Sequence, residues 1–152
     1  MPLFSARWNA LAREAGIASH AISSGLAALR KATYADKGLY TQAFFGLSIG
    51  LERLLKLIVL IDFASLNNGT YPDDAHLRGL GHDIRRLYSE ARRVHTRLPN
   101  PHGRYEISNS GLENDIVPFL ARFAKGTRYY NLNFLSGRSQ PPSAMDPNCG
   151  VG

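Results

Sequence analysis

Apolar residues recur along most of this 152-residue chain at spacings of three and four, and nowhere alternate far enough to suggest a sheet. That period belongs to helices with one face turned inward, so the pattern predicts an all-α fold. Residues 5 to 31 carry Trp8, Leu11, Ala12 and Ala15 on one face, then Ile22, Leu26 and Leu29. Gly16 is expected to break this run into two pieces. Tyr34 to Lys37 read as a connection. From about Asp36 to Leu66 the apolar positions wrap most of the circumference, leaving Ser48, Glu52 and Lys56 as a thin polar stripe at every fourth residue. A helix that is apolar nearly all round belongs in the middle of a bundle. Gly46 and Gly50, four apart, would let another helix approach closely, and are the small residues open to an oligomer contact.

The stretch NNGTYPDD, residues 67 to 74, is a turn by composition, with Asp73 or Asp74 as the N-cap of the next helix. Residues 74 to 97 place Leu77, Leu80, Ile84, Leu87, Ala91 and Val94 inward and read as one helix. PNPHG, residues 99 to 103, breaks the pattern, and the RYEIS after it is too short for a sheet. Ser110 and Glu113 have capping-box spacing, but Pro118 is best tolerated if the helix starts near Asp115. From there Ile116, Leu120, Phe123, Thr127, Tyr130 and Phe134 keep helical spacing through Gly126. The expected architecture is an antiparallel bundle of four to five helices over residues 1–137. Residues 138–152, rich in Pro, Gly and Ser, read as a disordered tail.

Composition narrows the chemistry. A net charge of +6 favours an anionic partner such as nucleic acid. The one cysteine, Cys149, excludes a disulfide within these residues and argues against a cysteine-based zinc site. His76 and His82 lie six apart and share no helical face, so no metal site is expected, nor any cofactor. The apolar stretch from Leu39 to Phe63 is interrupted by Glu52, Arg53, Lys56 and Asp62, which suits a core helix rather than a membrane span. With no apolar segment typical of a secretory signal, the reading is a cytoplasmic protein without membrane association.

Four sets of residues could carry function. His82 and Asp83 would be a proton-transfer pair if they faced each other, but neighbours on a helix diverge by about 100°. A packing role against another helix, toward Glu52 or Lys56, is the simpler reading. Glu52 and Lys56 form an i, i+4 pair suited to an internal ion pair. Arg78, Arg85 and Arg92 are seven apart, as are Arg86 and Arg93, giving adjacent basic stripes suited to phosphates or to ion pairs. Arg128 and Asn131, three apart beside Tyr129 and Tyr130, could serve a phosphate or a base.

The run Leu51-Glu52-Arg53-Leu54-Leu55-Lys56, followed after a loop by Leu80-Gly81-His82-Asp83-Ile84 and Leu87, resembles the HEPN superfamily over about residues 36 to 97. The resemblance implies an all-α bundle, frequent homodimers, and roles in RNA cleavage, RNA binding, toxin–antitoxin pairs and phage defence. Nuclease members are similar in carrying an Arg and, four to six residues later, a His near the start of a late helix, two copies meeting on dimerisation. Here Arg128 sits in a suitable region, but Asn133, Phe134 and Leu135 stand where the His belongs, and Asn131 is the nearest polar substitute. Arg97 and His102 match the spacing but flank Pro99 and Pro101, through which no helix runs. The expectation is therefore an RNA-associated homodimer, atypical or non-catalytic, with a nucleotidyltransferase as a conceivable protein partner. Its alternatives are a metal-independent endoribonuclease using Arg128, Asn131 and His82, and a purely protein-binding module.

Overall fold

Ser5 opens the first helix by accepting a hydrogen bond from the Trp8 backbone N–H at 3.1 Å. The computed structural model describes residues 5–98 and 111–126, which form α1 (Ala6–Lys31), α2 (Gly38–Leu66), α3 (Asp74–Leu80), α4 (Ile84–Arg97) and α5 (Gly111–Lys125). The expected all-α bundle is what forms. α1 does not break at Gly16. No atom lies within 4 Å of where a Cβ would stand there, so this glycine is on open surface. Its cost of about 1 kcal/mol in helix propensity is too small to interrupt a helix held along its length by α2.

α1 and α2 pack antiparallel through small residues. A Cβ on Gly46 would stand 2.9 Å from the Ala21 carbonyl oxygen, and one on Gly50 would stand 2.9 Å from the Ile22 backbone nitrogen. Gly25 meets the Ala43 carbonyl oxygen at the same distance. The close approach expected of Gly46 and Gly50 is therefore used within the chain, so these glycines are not available to a second copy. Between the two helices, the Asp36 N–H bonds to the Thr33 carbonyl at 3.1 Å and closes the connection.

The helix expected over residues 74 to 97 is two helices with a reversal between them. Asp73 caps α3, accepting from the His76 N–H at 2.8 Å. α3 then runs back along α2, with His76 against Phe63 (ring centroids 5.0 Å apart) and Leu80 beside Leu55 in the core. Gly81 ends it at φ +63°, ψ −156°, a conformation essentially reserved for glycine. Asp83 caps α4, which returns alongside α2 until Arg97 reaches Asp62. Ile84 and Leu87 are fully buried and, with Leu55, Leu80, Ala91, Val117, Leu120 and Ala121, form the core.

α5 starts at Gly111, earlier than the start near Asp115 that Pro118 suggested. Pro118 sits inside the helix and forfeits one backbone hydrogen bond. Packing offsets this: Phe119 and Phe123 meet Phe44 edge-on, with ring centroids 4.7 and 5.7 Å away. Among the described residues no helix is long and apolar enough to cross a membrane.

Candidate functional site

The reversal at residues 81–83 brings three separate parts of the chain together. Glu52 projects from the middle of α2, where the stripe Ser48–Glu52–Lys56 is the polar edge of an otherwise apolar helix. Ser48, 4% exposed, turns its hydroxyl inward to the Phe44 carbonyl at 2.6 Å. Glu52 Oε1 accepts from Lys56 Nζ at 2.8 Å, so the expected i, i+4 pair forms and is largely buried, the side chains 20% and 25% exposed. The same oxygen lies 2.7 Å from His82 Nδ1. A carboxylate can only accept, so the imidazole offers Nδ1–H to it and turns Nε2 elsewhere. The His82 side chain is 85% exposed.

His82 and Asp83 thus face different partners. Asp83 Oδ1 accepts from the Arg85 N–H at 3.0 Å, with Arg86 N–H at the 3.5 Å edge of hydrogen-bond range. Its Oδ2 takes Lys125 Nζ at 2.6 Å from the end of α5. Asp83 is not on a helix with His82 but ahead of one. His82 bonds to Glu52 rather than to its neighbour.

Both carboxylates are held below their usual range. For Glu52, burial is the strongest single influence and opposes ionisation, but the hydrogen bonds and charges of Lys56 and His82 together outweigh it. For Asp83 the Lys125 hydrogen bond dominates; desolvation opposes it, and the Arg86 and Arg85 N–H groups and the Lys125 charge assist. Two clefts share Glu52, His82 and Ile49. One of 610 Å³ opens toward Phe45, Phe123 and Lys125. The other, 510 Å³, opens toward Glu14, Arg53 and Lys56. Glu52 and His82 form the ridge between them.

Of the expected basic stripes, only Arg78 is detached, because α3 and α4 are separate helices; Arg85 with Arg92, and Arg86 with Arg93, keep their spacing on α4. Arg78 belongs to α3 and pairs with Asp74 at 2.7 Å. On α4, Arg93 pairs with Glu90 at 2.7 Å and Arg92 is half-buried. Arg85 and Arg86, exposed on the first turn of α4, have no ion-pair partner among the described residues. Arg128 and Asn131, the other candidate catalytic residues, lie outside the described residues, as do Tyr129 and Tyr130. No group of three or more His, Cys, Asp or Glu is placed to hold a metal ion among the described residues.

Sequence reasoning missed Lys125, whose partner is 42 residues away, and the Arg53–Glu14 bond that ties α2 to α1. The only signal for Lys125 was its place in the last turn of a helix, where a cation is favoured. Set against known families, curated proteins and solved structures, the chain finds no match.

Proposed function

We propose that this is a HEPN-like helical protein that associates with RNA or with a nucleic-acid-directed system of the toxin–antitoxin or phage-defence kind, without being a conventional nuclease of that superfamily. The observation that carries the reading is the pair of cations at the start of α4 that have no ion-pair partner among the described residues. Arg85 and Arg86 sit where the helix dipole is already positive and no acidic residue stands in the first turn. Asp83 is largely committed to Lys125 and the capping N–H groups, so the excess positive potential is relieved by an external anion. Guanidinium forks suit phosphate oxygens.

The test is binding of single-stranded and duplex RNA across a salt series. Each lost phosphate contact lowers the salt slope by about 0.7 for a single strand, so Arg85→Ser with Arg86→Ser should lower it by about 1.4. Binding that is absent at low salt, or indifferent to both substitutions, defeats the reading. A co-purifying protein partner whose binding ignores Arg85, Arg86 and His82 would favour a protein-binding module instead, a nucleotidyltransferase being the partner to look for first.

One observation favours a catalytic reading. Glu52 orients an exposed imidazole whose Nε2 is turned away from the carboxylate, the arrangement a general base needs. In a metal-independent endoribonuclease, His82 would take the proton of a ribose 2′-hydroxyl as its oxygen bonds to the adjacent phosphorus and the P–O5′ bond breaks. The departing 5′-oxygen would take a proton from water, with Arg128 and Asn131 as the candidate phosphate-binding residues. A mixed RNA pool left intact by the purified protein, with and without divalent metal, removes this reading while leaving the binding one standing.

A further inference from the structure

The turn that follows α2 is left-handed at two residues in succession, Asn68 at φ +52° and Gly69 at φ +80°. The Gly69 N–H donates to the Ala64 carbonyl at 2.8 Å, satisfying one of the acceptors left over at the helix end. The Thr70 N–H closes the turn on the Asn67 carbonyl at 2.9 Å. The two asparagines are held differently. Asn67 Nδ2 donates to the Phe63 carbonyl at 2.7 Å, which fixes its amide against the helix. The Asn68 amide has no hydrogen bond among the described residues, and Asn68, Gly69 and Thr70 are all exposed. Gly69 stands in open space, with nothing within 4 Å of where its Cβ would be, so no side chain screens the backbone nitrogen that follows Asn68. An open cleft of 490 Å³, lined by Asn68 and Tyr71 among others, brings water to the turn.

We propose that Asn68 is a site of spontaneous deamidation, with the backbone nitrogen of Gly69 as the nucleophile. That nitrogen gives its proton to hydroxide and bonds to Asn68 Cγ. The Cγ–Nδ2 bond breaks, and the nitrogen leaves as ammonia after taking a proton from water. Water then adds to either carbonyl of the resulting succinimide. Cleavage of the new bond to Cγ leaves aspartate; cleavage of the original peptide bond leaves isoaspartate, with the chain running through the side-chain carboxyl. In sum, one water enters and one ammonia departs.

Either product puts a negative charge at the C-terminal end of α2, where the helix dipole is already negative and the last turn holds no basic residue. Isoaspartate also lengthens the main chain by a methylene, which displaces the Gly69 N–H from Ala64. Conversion therefore loosens, in one direction only, the turn that leads into α3. The fold restrains the reaction as well as exposing it. The Gly69 proton is committed to Ala64, so the nitrogen can release it only when the cap opens. The assignment is independent of the RNA reading, since none of these residues belongs to the Arg85–Arg86 pair or the Glu52–His82 ridge.

Ageing the full chain for several weeks in mildly alkaline buffer tests it, with the tryptic peptide of residues 57–78 compared by mass spectrometry with that of an unaged sample. The expected result is loss of the amide at residue 68, with aspartate and isoaspartate both formed and Asn67 intact. The rate should rise with pH. It should rise about tenfold or more in urea, where the cap is open. Asn68→Gly, which keeps the left-handed backbone, should age without change in this peptide. In the aged protein, amide exchange at Gly69 should quicken several-fold while that of α4 stays as it was. Conversion at Asn67 in place of Asn68, an unaltered residue 68 in the native protein, or equal rates with and without urea overturns the proposal. So does an aged protein whose Gly69 exchange is unchanged.

Discussion

Glu52 and His82 share one hydrogen bond but not one environment, so their removal has unequal consequences. The carboxylate is largely buried and serves two donors; the imidazole is mostly in water. Glu52→Ala leaves Lys56 without its partner at a half-buried position, and should cost about 1–3 kcal/mol in denaturant unfolding. His82→Ala loses one exposed contact and should cost under about 1 kcal/mol. Equal losses would mean that the ring contributes packing its exposure does not suggest. This asymmetry also marks how far the site could be read from sequence. The Glu52–Lys56 pair was legible because both ends lie one turn apart on one helix. That His82 turns from Asp83 toward Glu52 or Lys56 was legible from the divergence of neighbouring positions, but the choice between those two was not, since it depends on a chain reversal that apolar spacing does not encode. Leu77, Leu80, Ile84 and Leu87 keep their three-and-four rhythm across the break.

At the scale of elements, the glycines separate into three kinds that look alike in sequence. Gly16 is solvent-facing in a helix interior, so Gly16→Ala should stabilise by about 0.5–1 kcal/mol. Gly50 meets α1 backbone at 2.9–3.0 Å, so Gly50→Ala must push the α1–α2 hairpin apart, at about 1–3 kcal/mol. Gly81 has open space around it but a backbone conformation that an L-residue resists, and Gly81→Ala should cost about 1–3 kcal/mol through strain alone. Thermal unfolding of the three variants checks all of these; a destabilising Gly16→Ala would mean that a real discontinuity exists in α1. Composition marks a glycine but not which role it has, which is why Gly16 read as a break while the true break at Gly81 was passed over inside a single helix over residues 74 to 97. Asp83 was similarly hidden: an N-cap is recognisable from sequence only once the helix start is known. Pro118 misled in the other direction, its lost hydrogen bond weighing less than the aromatic packing of Phe119 and Phe123 around it.

The whole molecule is held by two kinds of contact that respond differently to acid. α1 and α2 meet chiefly through uncharged backbone at Gly25, Gly46 and Gly50, with one ion pair, Arg53–Glu14, that is more than a third exposed. The reversal at residues 81–83 and the end of α5 are tied by carboxylates, Glu52 to His82 and Asp83 to Lys125. Both carboxylates ionise below their unfolded values of about 4.3 and 3.9, so each contributes stability that is fully present above those values and lost as pH falls through the lower folded ones. Urea unfolding between pH 6 and pH 3 should therefore show stability declining below about pH 5. The combined Glu52→Gln and Asp83→Asn variant, less stable at pH 6, should show a flatter decline, because its neutral amides have no proton to take up. Parallel pH curves for the two proteins would mean that other groups govern acid sensitivity. Amide exchange adds the spatial half: on acidification, protection should fall first around residues 81–86 and the end of α5, while the facing residues of α1 and α2 keep theirs. Loss from all helices together would show that the core around Leu55, Ile84 and Leu87 couples the hairpin to the reversal more tightly than the carboxylates alone imply.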